Sequence, residues 1–298
     1  METPMNDMTA APPGDPTAAE RAVLAEVGAR HGLWSPETTA RTLARGGENT
    51  TFAVAGCIVR FNDDHDAVAR EAALLRGLAE ASPVATPVPL VHDARLGLLV
   101  YRTLPGEPLL VRRQRRAAGT VTALGQVLDA LRRVPVAQHL PLDDYSNDAW
   151  HDDALEHFRV VQSLLEPERA AVVASFLSEP VPPSRDRLAP QHNDLGAEHM
   201  LVDRAGTVTG VIDWTDAARC DPARDLGRLY RDLGSEIAFR VAEALDGPPT
   251  DDERRRIRFH ACCTWLEDFR FATDDPGSRA PYLDNCHHTF DHTFDDPA

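Results

Sequence analysis

The sequence contains no lysine, so all 31 of its Lys or Arg positions are arginine. Any role that needs a permanent positive charge must therefore be filled by a guanidinium group. This group can bind a phosphate through two parallel hydrogen bonds, but it is bulkier than an ammonium group and is held differently. The absence matters wherever the motif of a known family normally contains lysine.

Cysteine is scarce, and long apolar runs are missing. The five cysteines are scattered and include no Cys-x-x-Cys pair, which indicates free thiols in a reducing compartment. No apolar run reaches the roughly 18 residues that a transmembrane helix needs. Residues 1–16 also lack the basic start of a signal peptide. Together these absences predict a cytoplasmic protein.

Several catalytic motifs are absent as well. The sequence has no Gly-x-Ser-x-Gly, His-Glu-x-x-His or Walker motif, so hydrolases, zinc proteases and P-loop enzymes of those types lack support. The formal net charge of −16 disfavours nucleic acid and anionic membranes as partners, because like charges repel. It favours a cationic substrate, although solubility alone explains such a charge equally well.

Composition and pattern divide the chain into a short leader and two regions. Apolar residues make up 43% of the 298 residues, which is enough for a folded core. Residues 1–16 are rich in Pro and Ala and are expected to form a disordered leader. Short β-like runs and one inserted helix within residues 17–103 predict a small unit with five strands. Residues 104–298 are expected to be mainly helical.

The most informative stretch runs from Gln191 to Asp225. Two apolar runs on either side of a Gly-containing turn predict a hairpin, with Asp194 in the loop before it and Asp213 at its end. The hairpin brings these two distant carboxylates to one edge. One acid can then orient and deprotonate a hydroxyl while the other binds a divalent cation. His199, five residues after Asp194, is a possible metal ligand.

This stretch resembles the catalytic segment of the aminoglycoside phosphotransferase family, which is related to the choline kinases and the protein kinases. The family pattern is His-x-Asp-x-x-x-x-Asn, a hairpin and a second Asp, matched here by His192 to His199 and by Asp213. The resemblance implies that Asp194 orients the acceptor hydroxyl and that Asp213 and His199 bind Mg²⁺. His199 stands in place of the usual Asn, and imidazole is a poorer ligand for Mg²⁺ than oxygen.

The same resemblance implies an α+β, bilobal, protein-kinase-like fold. Its small N-terminal lobe would be a five-stranded antiparallel sheet with one inserted helix, and its larger C-terminal lobe would be mainly helical. ATP or GTP, with Mg²⁺, is the expected co-substrate. Arg60 occupies the position of the family's lysine and is expected to pair with Glu71. The implied nucleotide-binding residues are Gly47, Asn49, Thr50, Arg60, Glu71, Val100, Tyr101 and Thr103.

The C-terminal region is expected to bind the acceptor. Acids beside an aromatic side chain suit a polycationic sugar, through ion pairs and stacking. An aminoglycoside is therefore the leading acceptor, by resemblance and by charge, and a monomer is favoured. The candidate acceptor-binding residues are Asp216, Asp232, Glu236, Trp265, Glu267 and Asp268. The helical spacing of Trp265 and Phe269 equally fits two core residues, with the nearby acids on a solvated face.

Other acceptors and one other class of function stay open at this point. The acceptor can be a macrolide, another antibiotic, or a metabolite alcohol such as an amino alcohol or a sugar. The alternative class is a pseudokinase that binds nucleotide without transferring phosphate, because Arg60 and His199 both depart from the family pattern. The presence of Asp194, Asp213 and Glu71 argues against that class.

Overall fold

The computed structural model describes residues 14–45, 49–112, 119–185 and 187–294. The chain divides into two compact units, Met1–Glu80 with Thr86–Leu104 and Ala81–Ala85 with Pro105–Ala298. Residues 1–13 of the predicted leader lie outside the described ranges. So does Gly47, one of the predicted nucleotide-binding residues.

The first unit is built on an antiparallel sheet with one helix inserted in the chain between its third and fourth strands. Its elements are α1 (Ala18–His31), β1 (Ala40–Arg45), β2 (Asn49–Val54), β3 (Cys57–Asn62), α2 (His65–Ala81), β4 (Pro89–Asp93) and β5 (Leu98–Arg102). The five strands lie in the order β1-β2-β3-β5-β4. The sheet and the inserted helix confirm the prediction for this region.

The core of the first unit lies between the sheet and α1. Phe52 of β2 pairs with Val59 of β3, and both side chains are buried. Leu24 and Val27 of α1 belong to the same apolar cluster. They are three residues apart in the sequence, a spacing that places both on one face of the helix.

A capping box and an ion pair fix the start of α1. Thr17 Oγ1 accepts a hydrogen bond from the Glu20 backbone N–H at 3.2 Å, and the Glu20 carboxylate accepts one from the Thr17 N–H at 2.6 Å. Both Glu20 oxygens also bind the Arg45 guanidinium, at 2.5 and 2.8 Å, which ties α1 to β1. The hydrogen bonds from Arg45 and Thr17 lower the pKa of Glu20 to about 2.

The second unit is mainly helical, as predicted. Its helices are α3 (Thr120–Arg133), α4 (Asn147–Val161), α5 (Pro167–Phe176), α6 (Ala223–Leu233), α7 (Ser235–Asp246), α8 (Asp251–Asp274) and α9 (Ala280–Phe294). Its strands are β6 (Glu107–Pro108), β7 (Ala189–Gln191), β8 (Met200–Val202), β9 (Val208–Val211) and β10 (Ala218–Cys220). The predicted hairpin is present as the antiparallel pair of β8 and β9. Within the described ranges, no helix is both long enough and apolar enough to cross a membrane.

Helix α8 supplies aromatic side chains to the core of the second unit. Trp265 is 0% exposed, its ring stacks on Phe269 at 4.9 Å, and its Nε1 donates to the Cys286 carbonyl at 3.0 Å. A ring enclosed in this way cannot stack on a bound sugar. The prediction that Trp265 binds the acceptor is therefore wrong, and its spacing from Phe269 marks the core face of α8.

Replacing Glu20 with glutamine is expected to lower the free energy of unfolding by about 1 kcal/mol at neutral pH, a figure reduced for the partial solvent exposure of both partners. The pKa of Glu20 falls from an ordinary 4.5 to about 2 in the fold. The stabilisation is therefore complete above the ordinary value and is lost as the pH falls through the lower one. Urea unfolding between about pH 7 and pH 3.5 covers the upper part of this window.

Glu26→Gln on the same helix is the matched control, because Glu26 is exposed and pairs only along the helix with Arg30. Its effect should stay within about 0.5 kcal/mol at every pH. A loss of stability in Glu20→Gln that does not shrink as the pH falls would contradict the role given to this carboxylate.

Candidate active site

Two residues with left-handed backbone mark the loop after β7 and the end of the β8–β9 hairpin. Asn193, directly before Asp194, has φ +69°, and Asp213 has φ +60°. Such conformations are costly for residues other than glycine and persist only where their surroundings enforce them. The backbone is thus specially shaped at both carboxylates that the sequence singled out.

The side chain of Asn193 shows how one of these conformations is held. Its Nδ2 donates to Asp143 at 2.9 Å, and its Oδ1 accepts from Arg224 and from the Cys220 thiol, each at 3.2 Å. Arg224 also pairs with Asp143 at 2.6 Å. Asn193 has no role predicted from the sequence, because its partners come from distant segments and only its place beside Asp194 pointed to it.

His192 connects the loop to the end of the hairpin. The side chain is completely buried, its Nε2 donates to the Ile212 carbonyl at 3.0 Å, and its Nδ1 accepts from the Asp194 backbone N–H at 3.3 Å. Burial and the nearby His199 lower the pKa of His192 to about 4, so the ring is neutral and can both donate and accept. These bonds give His192 the role of supporting the loop.

The structure brings Asp194, His199 and Asp213 together. His199 Nδ1 donates to the Asp194 carbonyl at 2.7 Å and lies 3.5 Å from Asp194 Oδ2. Its other ring nitrogen, Nε2, lies 3.9 Å from Asp213 Oδ2. The Ile212 N–H donates to the His199 carbonyl at 3.0 Å, which aligns the two ends of the hairpin. The predicted proximity of these three side chains is therefore confirmed.

The surroundings of His199 favour a positive charge. Burial alone lowers the pKa of His199, but the carboxylates of Asp194, Glu198 and Asp213 outweigh it and raise the pKa to about 9. Ligand atoms of Asp194, Glu198 and His199 lie within 4.8 Å of one another. An imidazole nitrogen among carboxylate oxygens is a donor set that fits a divalent cation.

Glu198 also belongs to this cluster, although no role was predicted for it from the sequence. Its side chain is 14% exposed, and its Oε2 lies 3.9 Å from the buried Arg231. Burial first, and then the nearby carboxylates Asp194 and Asp232, raise the pKa of Glu198. Its position directly before His199 was the signal in the sequence that could have found it.

Helix α6 holds the loop through charged side chains. Asp225 is completely buried and accepts a hydrogen bond from the His192 backbone N–H at 2.8 Å. Burial raises the pKa of Asp225 to about 6. One turn further along the helix, an Arg228 nitrogen lies 3.1 Å from Asp194 Oδ1. Asp225 thus ties helix α6 to the loop that contains Asp194.

Asp232 lies on the same face of α6, two turns after Asp225. It is completely buried, its Oδ2 accepts from the Ala197 backbone N–H at 2.8 Å, and its Oδ1 accepts from Asn285 at 2.8 Å. Arg231 binds both oxygens, at 2.9 and 3.1 Å. Because this carboxylate is enclosed and fully engaged, the prediction that Asp232 binds the acceptor is wrong.

The two predicted acids of α8 have different surroundings. Asp268 is mostly buried and pairs with Arg231 at 2.8 Å, and burial raises its pKa well above the ordinary value. Its assignment to the acceptor is therefore also corrected. The side chain of Glu267 is 41% exposed and lies 3.7 Å from Arg228. Glu267 thus reaches solvent next to a residue that contacts Asp194.

The remaining two predicted acids are both exposed. Glu236 pairs along its own helix with Arg240, at 3.7 Å, which gives it no observed link to Asp194. Asp216 lies in the turn after Asp213. Partial burial of its carboxyl group, with the negative charges of Asp194 and Asp213, raises the pKa of Asp216 to about 6. The negative charges of Asp194 and Asp213 therefore act on the Asp216 carboxyl group.

In the first unit, the predicted partners Arg60 and Glu71 form an ion pair between β3 and α2. Both side chains are at least 96% buried, so the pair holds the guanidinium in a defined orientation. Asn49, at the start of β2, accepts a hydrogen bond from Asn62 at 2.8 Å. Thr50 follows it in β2, opposite Phe61 of β3.

The predicted purine-binding backbone lies at the end of β5, which is an interior strand of the sheet. Val100 pairs with Val59 on one side and with Val91 on the other, and its side chain is fully buried. Tyr101 likewise pairs on both sides within the sheet. Thr103 lies beyond the strand and is exposed, although its N–H already donates to the Gly56 carbonyl at 3.0 Å.

The sequence matches the model of the phosphotransferase enzyme family (APH) over residues 39–260. The uncharacterized protein YcbJ of Bacillus subtilis (strain 168) is 40% identical over 55 residues, or 18% of each chain. Viomycin phosphotransferase of Streptomyces vinaceus is 38% identical over 69 residues, or 22% of this chain and 24% of the relative. The matched segments thus span less than a quarter of the length of either relative.

Solved structures are similar to a larger share of this chain than these two relatives are. The GDP complex of wild-type aminoglycoside 2'-phosphotransferase-IIIa has a TM-score of 0.60 at 20% identity, covering 86% of this chain and 93% of the other. Macrolide 2'-phosphotransferase type I has a TM-score of 0.57 at 19% identity, covering 93% and 98%. At these identities the likeness shows the fold, which is the kinase-like α+β fold expected from the sequence. Because the family model matches most of its sequence, this chain belongs to the phosphotransferase enzyme family.

Proposed function

We propose that this protein is an enzyme that transfers the γ-phosphoryl group of ATP or GTP to a hydroxyl group of a small molecule. The observation that carries the proposal is the convergence of Asp194, His199 and Asp213 on one loop and hairpin. Family membership supports the same reaction. The GDP complex of a protein with the same fold supports a nucleotide as co-substrate.

Asp194 is the residue that receives the acceptor hydroxyl. Burial alone would raise its pKa, but Arg228, His199 and His192 outweigh burial and lower it. Asp194 is therefore a carboxylate at neutral pH, and its side chain is 27% exposed. It can accept a hydrogen bond from the hydroxyl, orient the oxygen towards phosphorus and take the proton as the new P–O bond forms.

His199 and Asp213 are the residues that would hold Mg²⁺. The Nδ1–H of His199 is used by the Asp194 carbonyl, so Nε2, which faces the Asp213 carboxylate, is the nitrogen that would release its proton to a bound cation. This arrangement fixes the tautomer and the ring orientation that a metal ligand needs. When bound, the cation would offset the negative charge of the phosphates. The Asp213 carboxylate is itself oriented by a hydrogen bond from Thr215 at 2.9 Å.

The first unit supplies the nucleotide-binding residues in this proposal. Arg60, oriented by Glu71, binds phosphate oxygens in the role that lysine has elsewhere in the family, since a guanidinium keeps the charge and offers two parallel donors. Asn49 and Thr50 lie at the start of β2, shortly after Gly47 in the sequence. The purine edge is assigned to the backbone around Val100, Tyr101 and Thr103.

The acceptor is proposed to be an aminoglycoside. Asp216 and Glu267 are the predicted acids that remain open to solvent near Asp194, and their carboxylates can pair with amino groups. The electrostatic support is smaller than the sequence suggested, because Asp232 and Asp268 are buried and share Arg231 as their partner. This loss of negative charge favours a less cationic acceptor, such as a macrolide, as the second candidate.

Asp194→Asn is expected to lower kcat for phosphoryl transfer at least about 100-fold, because an amide cannot take the proton of the hydroxyl. Coupled detection of the nucleoside diphosphate measures the rate. Asp203→Asn, the same change in the exposed turn between β8 and β9, is the control and should leave the rate unchanged. An Asp194→Asn rate within about tenfold of wild type would show that the assignment is wrong.

His199→Ala is expected to raise the Mg²⁺ concentration for half-maximal activity about tenfold or more, since one ligand is lost. His199→Asn restores the oxygen donor of the family pattern and should need no more Mg²⁺ than the wild type. Calorimetric titration of both variants with Mn²⁺ gives an independent measure of metal affinity. Equal affinities in wild type and His199→Ala would remove His199 from the metal site.

The acceptor is tested with a panel of aminoglycosides, macrolides and small alcohols, each assayed with ATP and with GTP. We expect phosphorylation of an aminoglycoside, and Asp216→Asn should raise its KM about tenfold, as for the loss of a charge-assisted hydrogen bond. Neutral acceptors should be unaffected by that change. Phosphorylation of another acceptor alone would refute the aminoglycoside proposal, and nucleotide binding without any product would support a pseudokinase.

A further inference from the structure

Arg228 is buried next to Asp194, the proposed catalytic carboxylate. One nitrogen of Arg228 lies 3.1 Å from Asp194 Oδ1, and the Arg228 side chain is only 10% exposed. Burial opposes its charge, but the carboxylates of Asp194 and Glu267 outweigh burial and raise the pKa of Arg228. The guanidinium is therefore charged at any physiological pH, and the surrounding anions determine where it lies.

A second carboxylate lies near the guanidinium of Arg228. Its other terminal nitrogen lies 3.7 Å from the Glu267 carboxylate of α8. The guanidinium group is planar and rigid, so carboxylates near two of its nitrogens favour one orientation of the whole group. Glu267 thus holds one side of the fork while the other side contacts Asp194.

The backbone of Arg228 is also fixed with respect to the loop. Asp225 and Asp232, on the same face of α6, bind backbone N–H groups of the loop on either side of Asp194. Helix α6 also packs so closely against α8 that a Cβ atom added at Gly227 would lie 2.6 Å from the Cβ atom of His260. Neither end of the Arg228 side chain can therefore shift without breaking buried contacts.

We propose that Arg228 is a positioning residue that fixes the carboxylate of Asp194 for the acceptor hydroxyl. By holding Oδ1, the guanidinium leaves Oδ2, on the side of His199, to accept the hydrogen bond from the acceptor. Orientation of reacting groups is a large part of catalysis in phosphoryl transfer. The proposal rests on the role of Asp194 in the proposed function and names the residue that makes this role possible.

The test compares Arg228→Met and Arg228→Lys with the wild type. Arg228→Met keeps much of the side-chain volume but removes the charge, and we expect kcat to fall about 100-fold while KM for the nucleotide is unchanged. Arg228→Lys keeps a cation, so its kcat should be about tenfold higher than that of Arg228→Met. The double variant Arg228→Met/Asp194→Asn should be no slower than Asp194→Asn alone, because the two residues act as a unit.

Arg256→Met is the matched control. The Arg256 side chain is also 10% exposed and pairs with Asp221 at 3.2 Å, without contacting Asp194. Its loss should lower the urea midpoint of unfolding but leave kcat within about threefold of wild type. This variant separates the general cost of removing a buried arginine from a specific effect on catalysis.

A kcat within about threefold of wild type for Arg228→Met, together with an inactive Asp194→Asn, would overturn the proposal and leave the proposed function intact. Wild-type activity in Asp194→Asn would instead overturn the proposed function, and the role of Arg228 with it. If Arg228→Met fails to fold, the kcat and the unfolding midpoint of Arg228→Lys test the proposal instead. A lowered kcat with a normal unfolding midpoint supports the positioning role, and an unchanged kcat overturns it.

Discussion

The charged face of helix α6 is the constraint on which the catalytic loop depends. Asp225 and Asp232 bind backbone N–H groups of the loop, and Arg228 binds the Asp194 carboxylate between them. Buried N–H groups need acceptors, and buried charges need partners of opposite sign. A loop without regular structure is thereby held in one conformation by a rigid helix, which is what a reaction that relies on positioning requires.

The absence of lysine is consistent with the way positive charge is used in this structure. Arg60, Arg228 and Arg231 are all buried or nearly so, and each contacts at least one carboxylate. A guanidinium is more weakly hydrated than an ammonium group and offers several donors in a fixed geometry, so it suits buried ion pairs. In the second unit these pairs also remove negative charge from the region beside Asp194, where the net charge of the chain suggested an acidic acceptor site.

Features encoded by local patterns were predictable. The β8–β9 hairpin followed from its apolar runs and turn, and the fold followed from the order of strands and helices together with the family motif. The proximity of Asp194, His199 and Asp213 followed from the hairpin, since its two ends must meet. The pairing of Arg60 with Glu71 followed from the family pattern. Glu198 was missed, although it lies next to His199, because the motif assigns no role to its position.

The amino-acid pattern was thus sufficient to bring Asp194 and Asp213 together on one loop and hairpin, because the spacing of residues along a hairpin determines which side chains meet. It was not sufficient to tell which acids can meet an acceptor. That distinction arose from the packing of α6 against α8, which encloses Asp232 and Asp268 around Arg231 and leaves Glu267 partly exposed. Acids at helical spacing look alike in sequence, and their burial and their partners depend on contacts between segments far apart in the chain.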